Sequence, residues 1–278
     1  MDVQVVEPRA DILVESTRSV GYTFESALAD IVDNSIGNGA NHIDIRFSSI
    51  SPRYIAILDD GCGMTLDELL IAMRYGSKNV NEVRSQSDLG RFGLGLKTAS
   101  LSQCRRLTVI SKKNNIISAA SWDLDFIIEN QDWSLKIYDY NEVYCLYNKS
   151  IPNIIERLNN YTTGTIVIWE VFDKMLEGTD DKEQLFDEKI SCARSHLELI
   201  YHNFLDKSSK NPVEIKFNSR ALIAKDPFLT HHPGTQPLAE EFIDLDGNNV
   251  RVKPYILPYL NKLTQEDIDL LGTLDDLR

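Results

Sequence analysis

The stretch Asp88-Leu-Gly-Arg-Phe-Gly-Leu-Gly-Leu-Lys-Thr-Ala-Ser100 sets three glycines and one lysine at a spacing that can fold backbone N–H groups around a polyphosphate. Its glycines are free to take positive φ, a short helix follows whose first N–H groups have no intrahelical partner, and Lys97 brings one ammonium. The pattern G-x-x-x-x-G-K-[ST] is not met and no strand directly precedes it, so neither a Walker A loop nor a dinucleotide fingerprint describes it. Six of the fourteen glycines fall between Gly61 and Gly95, a concentration that favours a binding loop system over scattered turns.

Working outward, residues 22 to 36 read as a helix. At 100° per residue Phe24, Leu28, Ile31 and Val32 share one arc, Asp30, Asp33 and Asn34 fall on the opposite one, and Gly37 and Gly39 stop the run. Asp30 and Asn34 are four apart and therefore one turn apart on one face. Magnesium takes hard oxygen ligands and dehydrates reluctantly, so one amide carbonyl from Asn34 beside phosphate oxygens and water suits it. A carboxylate one turn away, Asp30, could orient or deprotonate an attacking water. A simple solvated face is the other reading of these three residues.

Between helix and glycine stretch lies Asp59-Asp-Gly-Cys-Gly-Met64, an acidic turn at the end of the β-rich run Tyr54–Leu58. A buried Asp59 carboxylate there can accept a hydrogen bond from an exocyclic amine such as that of adenine, and Gly63 lets backbone and base approach. The spaced acids and closing glutamate of an EF-hand are missing, which argues against calcium.

His42–Phe47 and Tyr54–Leu58 form a hairpin signal, and Thr65-Leu-Asp-Glu68 is a capping box opening a helix through Met73. Arg74 to Leu89 is polar and reads as a mobile loop. Strands are expected near 106–111, 116–122, 134–138 and 164–171, with helices over 151–158 and 182–205. A boundary is expected at Asp206-Lys-Ser-Ser-Lys-Asn-Pro212, dividing the chain into 1–206 and 207–278. Beyond it, 213–217 and 221–224 flank Asn-Ser-Arg as a second hairpin, strand-like runs follow at 241–245 and 250–257, and 264–271 looks helical.

At 278 residues and 42% hydrophobic the chain can build a proper core. No run nears the roughly 18 apolar residues of a membrane helix and no signal peptide opens the sequence, so a cytoplasmic protein with no membrane role is expected. Cys62, Cys104, Cys145 and Cys192 form no C-x-x-C pair, which suggests neither zinc nor a disulfide framework. A formal net charge of −13 argues against a large nucleic-acid footprint on this chain alone. The basic run Cys104–Lys113 alternates enough to read as a strand with basic ends.

The order Asp30-x-x-x-Asn34, Asp59-x-Gly-x-Gly63, Gly90-x-x-Gly-x-Gly-x-Lys97 and Gly164-Thr165 resembles the four motifs of the GHKL ATPase superfamily, which groups DNA gyrase B, Hsp90, histidine-kinase catalytic domains and MutL. Asp-Asn-Ser, Gly-Ser-Lys and Arg-Phe-Gly-Leu-Gly-Leu-Lys-Thr-Ala-Ser are most similar to MORC-like ATPases and their bacterial relatives. The likeness covers about residues 20 to 172. It implies a Bergerat-type α/β two-layer sandwich, a mixed, mainly antiparallel sheet covered by helices on one face. By the same resemblance, Asp30 takes the general-base position, Asn34 the magnesium position, and Asp59 the adenine-amine position with Gly61, Gly63 and Met64 beside it. Gly93, Gly95 and Lys97 match the phosphate-contacting end of an ATP lid. Gly90, Arg91, Phe92, Leu94 and Leu96 belong to the same nucleotide-binding stretch, Lys97 is placed with Asp30 in catalysis, and Thr165 supports Asp59 around the base. Asn-Ser-Arg followed by Asp226-Pro-Phe228 is similar to the start of a transducer-like α+β domain of the S5 type, expected to be incomplete in 207–278.

The expected function is Mg2+-dependent ATP binding and slow hydrolysis, driving closure of a 74–97 lid and N-terminal homodimerisation as a clamp or switch, with DNA or a DNA-processing partner as client. Two departures stand out: Asp30 where the family usually carries the longer glutamate, and Gly37-Asn38 where relatives commonly carry Asp-Ala. The first motivates a second reading, a nucleotide-gated binding module with negligible catalysis. A histidine-kinase catalytic domain is a third, although none of the five histidines lies in a recognisable phosphoacceptor helix.

Overall fold

Thr23 caps the first long helix by accepting a hydrogen bond from the Ser26 N–H, and from there α2 (Phe24–Gly37) runs with the period expected of it; α1 (Ala10–Thr17) precedes it. The computed structural model describes residues 3–4, 8–19, 21–76, 95–245 and 247–271. Of the expected nucleotide residues, Gly90, Arg91, Phe92, Gly93 and Leu94 lie outside the described residues, as does most of the expected 74–97 lid. Phe24, Ala27, Leu28, Ile31 and Val32 are all buried, so the apolar arc read from the sequence is the face that meets the core.

The next two elements are the expected hairpin, β1 (His42–Ser48) and β2 (Tyr54–Asp59), paired antiparallel with Ile43 opposite Asp59. Then come α3 (Leu66–Met73), closed at its start by a complete Thr65/Glu68 capping box, and α4 (Gly95–Gln103). Strands β3 (Cys104–Lys113) and β4 (Ile116–Asp123) pair through a turn at Asn114 and Asn115, both with positive φ. They are followed by α5 (Leu124–Asn130), β5 (Lys136–Tyr138), α6 (Tyr140–Ser150), α7 (Ile154–Asn159), β6 (Gly164–Phe172), α8 (Lys182–Ile200) and α9 (His202–Leu205).

The hairpin β7 (Glu214–Phe217) and β8 (Arg220–Ala221) turns through Asn218 and Ser219, again both with positive φ. It lies beyond the expected boundary near 206–212, yet β7 joins β1 in parallel, so these strands continue the main sheet. The rest of the described chain comprises β9 (Gln236–Pro237), β10 (Glu241–Leu245), β11 (Asn248–Val252), β12 (Tyr255–Ile256) and α10 (Gln265–Leu271), with β10 pairing β11 and β9 pairing β12.

The main sheet has eight strands in the order β5-β4-β3-β6-β2-β1-β7-β8, every neighbouring pair antiparallel except β1 with β7. It is the mixed, mainly antiparallel sheet of the expected α/β sandwich. Side chains of a strand alternate between faces, and here both faces are apolar. Ile55, Ile57, Leu107, Val109, Val167 and Trp169 join α2, α3, α4 and α8 in the larger core, where Phe24 meets Trp169 edge to face with ring centroids 6.2 Å apart. Ala56, Leu58, Ile110, Ile166 and Ile168 form a smaller core with Val143, Tyr147, Ile154 and Leu158 of α6 and α7. The principal helical layer thus covers one face, and a short helical pair adds cover to the other. α6 was not expected; Tyr147 docks it, its hydroxyl lying 2.9 Å from Thr108 Oγ1 and donating to Glu170. The 151–158 helix starts only at Ile154, and the long 182–205 helix breaks at Tyr201.

Candidate functional site

Strand β6 lies between β2 and β3, and that order brings distant residues into one row. Asp59 is opposite Thr165 on one side of β6, and Ser111 is opposite the same Thr165 on the other. By the alternation of each strand all three face the principal helical layer, as Ile57, Val167 and Val109 do.

Asp59 is 6% exposed. Its carboxylate accepts hydrogen bonds from Ser35 Oγ at 2.9 Å, from the Gly61 N–H at 2.9 Å, and from the backbone N–H of Thr165. Burial raises its pKa to about 6; the Gly61, Ser35 and Thr165 bonds work against that rise, and the neighbouring Asp60 charge adds to it. A carboxylate has about four lone-pair sites. Three protein donors leave room for one more N–H, such as one of the two that an exocyclic amine carries.

The turn after Asp59 is held closely. Asp60 accepts from the N–H groups of Asn41 and His42 and pairs with the His42 ring at 2.7 Å. Thr163 Oγ1 donates to the Gly61 carbonyl at 2.7 Å. Gly63 has φ +62°, and a Cβ there would lie 2.1 Å from the Lys112 carbonyl oxygen, so both conformation and space require glycine. Gly164 approaches from the other side, where a Cβ would lie 2.4 Å from the Asp59 carbonyl oxygen. Met64, partly buried against the main core, donates its N–H to Ser111 Oγ at 2.8 Å.

On α2, Asp30, Asp33 and Asn34 are half-buried on the face away from the apolar arc. Asp30 accepts from the Tyr22 hydroxyl at 2.8 Å. Asp33 accepts from the Tyr201 hydroxyl at 2.7 Å; burial raises its carboxyl, with the Tyr201 bond opposing and the Asp30 charge reinforcing. A Cβ on Gly95, the first residue of α4, would stand 3.5 Å from Asp30 Oδ2. The start of the helix after the glycine stretch therefore faces the carboxylate of α2, which unites two motifs separated by more than sixty positions.

Lys97 follows on α4. Its side chain is 1% exposed and donates to the Ala72 carbonyl of α3 at 2.6 Å, with the Tyr75 ring centroid 6.0 Å away. Burial pulls this ammonium down to about 8. Leu96 is partly buried against the main core. The structure thus brings together Asp30 with Gly95, and Asp59 with Gly61, Gly63, Met64 and Thr165. Ser35, next to Asn34, ties the two groups to each other. Lys97 is in the same layer with its ammonium against the end of α3.

Among the described residues there is no group of three or more His, Cys, Asp or Glu placed to hold a metal. A divalent cation here would take the Asn34 amide oxygen as its protein ligand and fill its other positions with phosphate oxygens and water, which is the habit of magnesium. Asn34, half-buried and one turn from Asp30, fits that donor set.

Ser35 belongs to the Asp-Asn-Ser motif, although its bond to Asp59 is not read from it. Three residues at this site escape motif reading: Tyr22, Ser111 and Tyr201. Tyr22 is close in sequence to Asp30. Ser111 is marked only as a hydroxyl at an inward position of an otherwise apolar strand, and Tyr201 carries no local signal.

Residues 22–165, just over half of the chain, match the family model described as histidine kinase-, DNA gyrase B-, and HSP90-like ATPase. The chain is similar to the ATPase morc-1 of Caenorhabditis elegans, 34% identical over 171 residues, which are 51% of this chain and 20% of that protein. It is also similar to the DNA mismatch repair protein MutL of Paramagnetospirillum magneticum, 32% identical over 103 residues, 36% of this chain and 16% of that protein. MutL of Shewanella frigidimarina is 34% identical over 89 residues, 31% of this chain and 14% of that protein. The chain spans a fifth or less of the length of these relatives.

Proposed function

Because this chain belongs to the histidine kinase-, DNA gyrase B- and HSP90-like ATPases, we propose that it binds ATP with Mg2+ and hydrolyses it slowly at the site formed by α2, the Asp59 turn, α4 and the start of β6. The observation that carries this reading is the meeting of Gly95 with Asp30, which sets the anion-attracting start of a helix beside a carboxylate able to orient water. Asp59 receives the exocyclic amine of the base on its one open lone pair, and Gly61, Gly63 and Met64 shape the turn around it. Asn34 supplies the protein oxygen to Mg2+, which when bound neutralises phosphate charge. Asp30 holds the attacking water and takes its proton. The stretch from Gly90 to Lys97 follows the phosphates.

Asp30→Asn is expected to keep ATP binding and lose hydrolysis, and Asn34→Ala to lose the Mg2+-dependent part of binding. Calorimetry and a phosphate-release assay read both, and unchanged turnover in the two variants overturns the reading. A clamp or switch follows from it: nucleotide closes the 74–97 lid, the chain forms a homodimer through its N-terminal part, and DNA or a DNA-processing partner is the client. The names of the relatives, an ATPase and mismatch repair proteins, support that step. Sedimentation with and without a non-hydrolysable ATP analogue tests the dimer. In this reading 207–278 begins a transducer-like unit whose first hairpin, β7–β8, continues the nucleotide-binding sheet.

One observation favours the second reading, a nucleotide-gated binding module with negligible catalysis. Asp30 already accepts the Tyr22 hydroxyl, and aspartate reaches one methylene less far than glutamate. Tight ATP binding with no product in a single-turnover assay would select it.

A further inference from the structure

We propose that Tyr22 is a positioning residue for hydrolysis: its hydroxyl anchors one oxygen of the Asp30 carboxylate and so fixes the plane in which that group meets the attacking water. The inference rests on the nucleotide reading above and names what holds its base in place.

An aspartate at this position has to be aimed. The last torsion of its side chain joins a tetrahedral carbon to a planar one and has a broad profile, so nothing in the residue itself fixes the plane of the carboxylate. The plane matters for proton transfer, since misplacing a reacting group by about 1 Å can cost about 100-fold in rate.

Tyr22 supplies the missing constraint, its hydroxyl donating to Asp30 Oδ2 at 2.8 Å. The direction of this bond follows from chemistry, because an ionised carboxylate only accepts and the phenol keeps its proton. Burial first, and then the bond and the charge of Asp30, raise Tyr22 above the ordinary tyrosine value, with Thr98 opposing. Tyr22 is itself held. It is partly buried against the main core, and its backbone carbonyl accepts from Gln103 Nε2 at 3.3 Å. Gln103 is buried and is the last residue of α4, whose first residue is Gly95. The oxygen gripped by Tyr22 is the one that a Cβ on Gly95 would approach to 3.5 Å. One end of α4 therefore steadies Tyr22, and the other end faces the oxygen that Tyr22 holds. A carboxylate offers about four lone-pair sites. Tyr22 takes one of them, so the anchored group still has sites for the water and for its proton. Anchoring the base and blocking it predict opposite signs when the hydroxyl is removed.

Tyr22→Phe removes the hydroxyl and keeps the ring. On the full chain, single-turnover hydrolysis at saturating ATP is expected to slow by about tenfold or more, as the loss of a hydrogen bond to a charged group implies. The Kd for ATP, read by calorimetry, should stay within about twofold of the wild-type value, because the lost interaction serves the reaction and not binding. A general loosening of the site would weaken both together. Against the residual rate of Asp30→Asn, adding Tyr22→Phe should have no further effect, since the hydroxyl acts only through the carboxylate. A rate that is unchanged or faster in Tyr22→Phe, a Kd that rises as much as the rate falls, or an equal further loss in the Asp30→Asn background overturns the role of Tyr22. If the phenylalanine variant does not fold, Tyr22→Leu, which also keeps an apolar body and lacks the hydroxyl, is judged by the same results. A wild-type chain that binds ATP without turning it over overturns this inference alone; one that binds no ATP overturns the nucleotide reading as well.

Discussion

In the proposed function Asp59 is a buried carboxyl that receives the base amine in its ionised form, and replacing it by asparagine should expose a conflict between stability and binding. Burial raises it from the ordinary 3.8 to about 6 in spite of three hydrogen bonds. At about 1.4 kcal/mol for each tenfold change in proton affinity, the ionised native state near neutral pH carries a penalty of about 3 kcal/mol. In this window the native chain binds the proton more tightly than the unfolded chain. Its stability is therefore highest below the unfolded value and falls as pH rises through about 6. Asp59→Asn keeps the shape and removes the titration. Urea unfolding of both proteins, from about pH 4 to about pH 8, isolates the effect, because the other titrating groups cancel in the difference. The wild type should lose about 2.5 kcal/mol relative to the variant across that range, because at about pH 4 the unfolded carboxyl is already partly ionised. The preference for ATP over inosine triphosphate should move the other way in the wild type, declining as acid protonates the acceptor, and should be absent in the variant. Parallel stability curves for the two proteins would refute the argument, since they would mean that Asp59 titrates alike in the folded and unfolded chains.

Three further outcomes follow from local geometry. Gly63→Ala should destabilise the fold by about 2–4 kcal/mol in urea titrations, through a left-handed alanine and a displaced Lys112 carbonyl; a loss under about 1 kcal/mol would contradict that close approach. Thr65→Ala should lose about 1 kcal/mol, because it removes the side-chain acceptor for the Glu68 N–H at the start of α3, and hydrogen exchange in the first turn of α3 should rise with it. Tyr201→Phe should cost about 1–3 kcal/mol by leaving Asp33 and the Ala29 carbonyl without the hydroxyl they share, and an unaltered unfolding midpoint would show that water replaces it.

Much of this architecture is written in short-range pattern. The apolar arc of α2, the β1–β2 hairpin and the α3 capping box each depend on residues within a few positions of one another, and each occurs where periodicity or turn chemistry puts it. The motif spacing carried the family as well. α6 is different: only Val143 and Tyr147 are buried on it, too few for a periodic stripe, although Asp139-x-x-Glu142 is a capping box legible in the sequence. The break at Tyr201 was not legible either, since that side chain turns inward to Ala29 and Asp33 across more than 160 residues.

By itself the sequence determined the elements around the motifs, the motif set and the family, because hydrophobic period, caps and glycine placement act locally and survive without knowledge of neighbours. Only the tertiary structure decided that β6 runs between β2 and β3. That order places Thr165 between Asp59 and Ser111, directs Ser35 onto Asp59, sets Gly95 against Asp30 and turns Lys97 toward Ala72. Strand order and long-range side-chain pairing are settled by which faces bury together across the whole sheet, a cooperative outcome that no local window of residues contains.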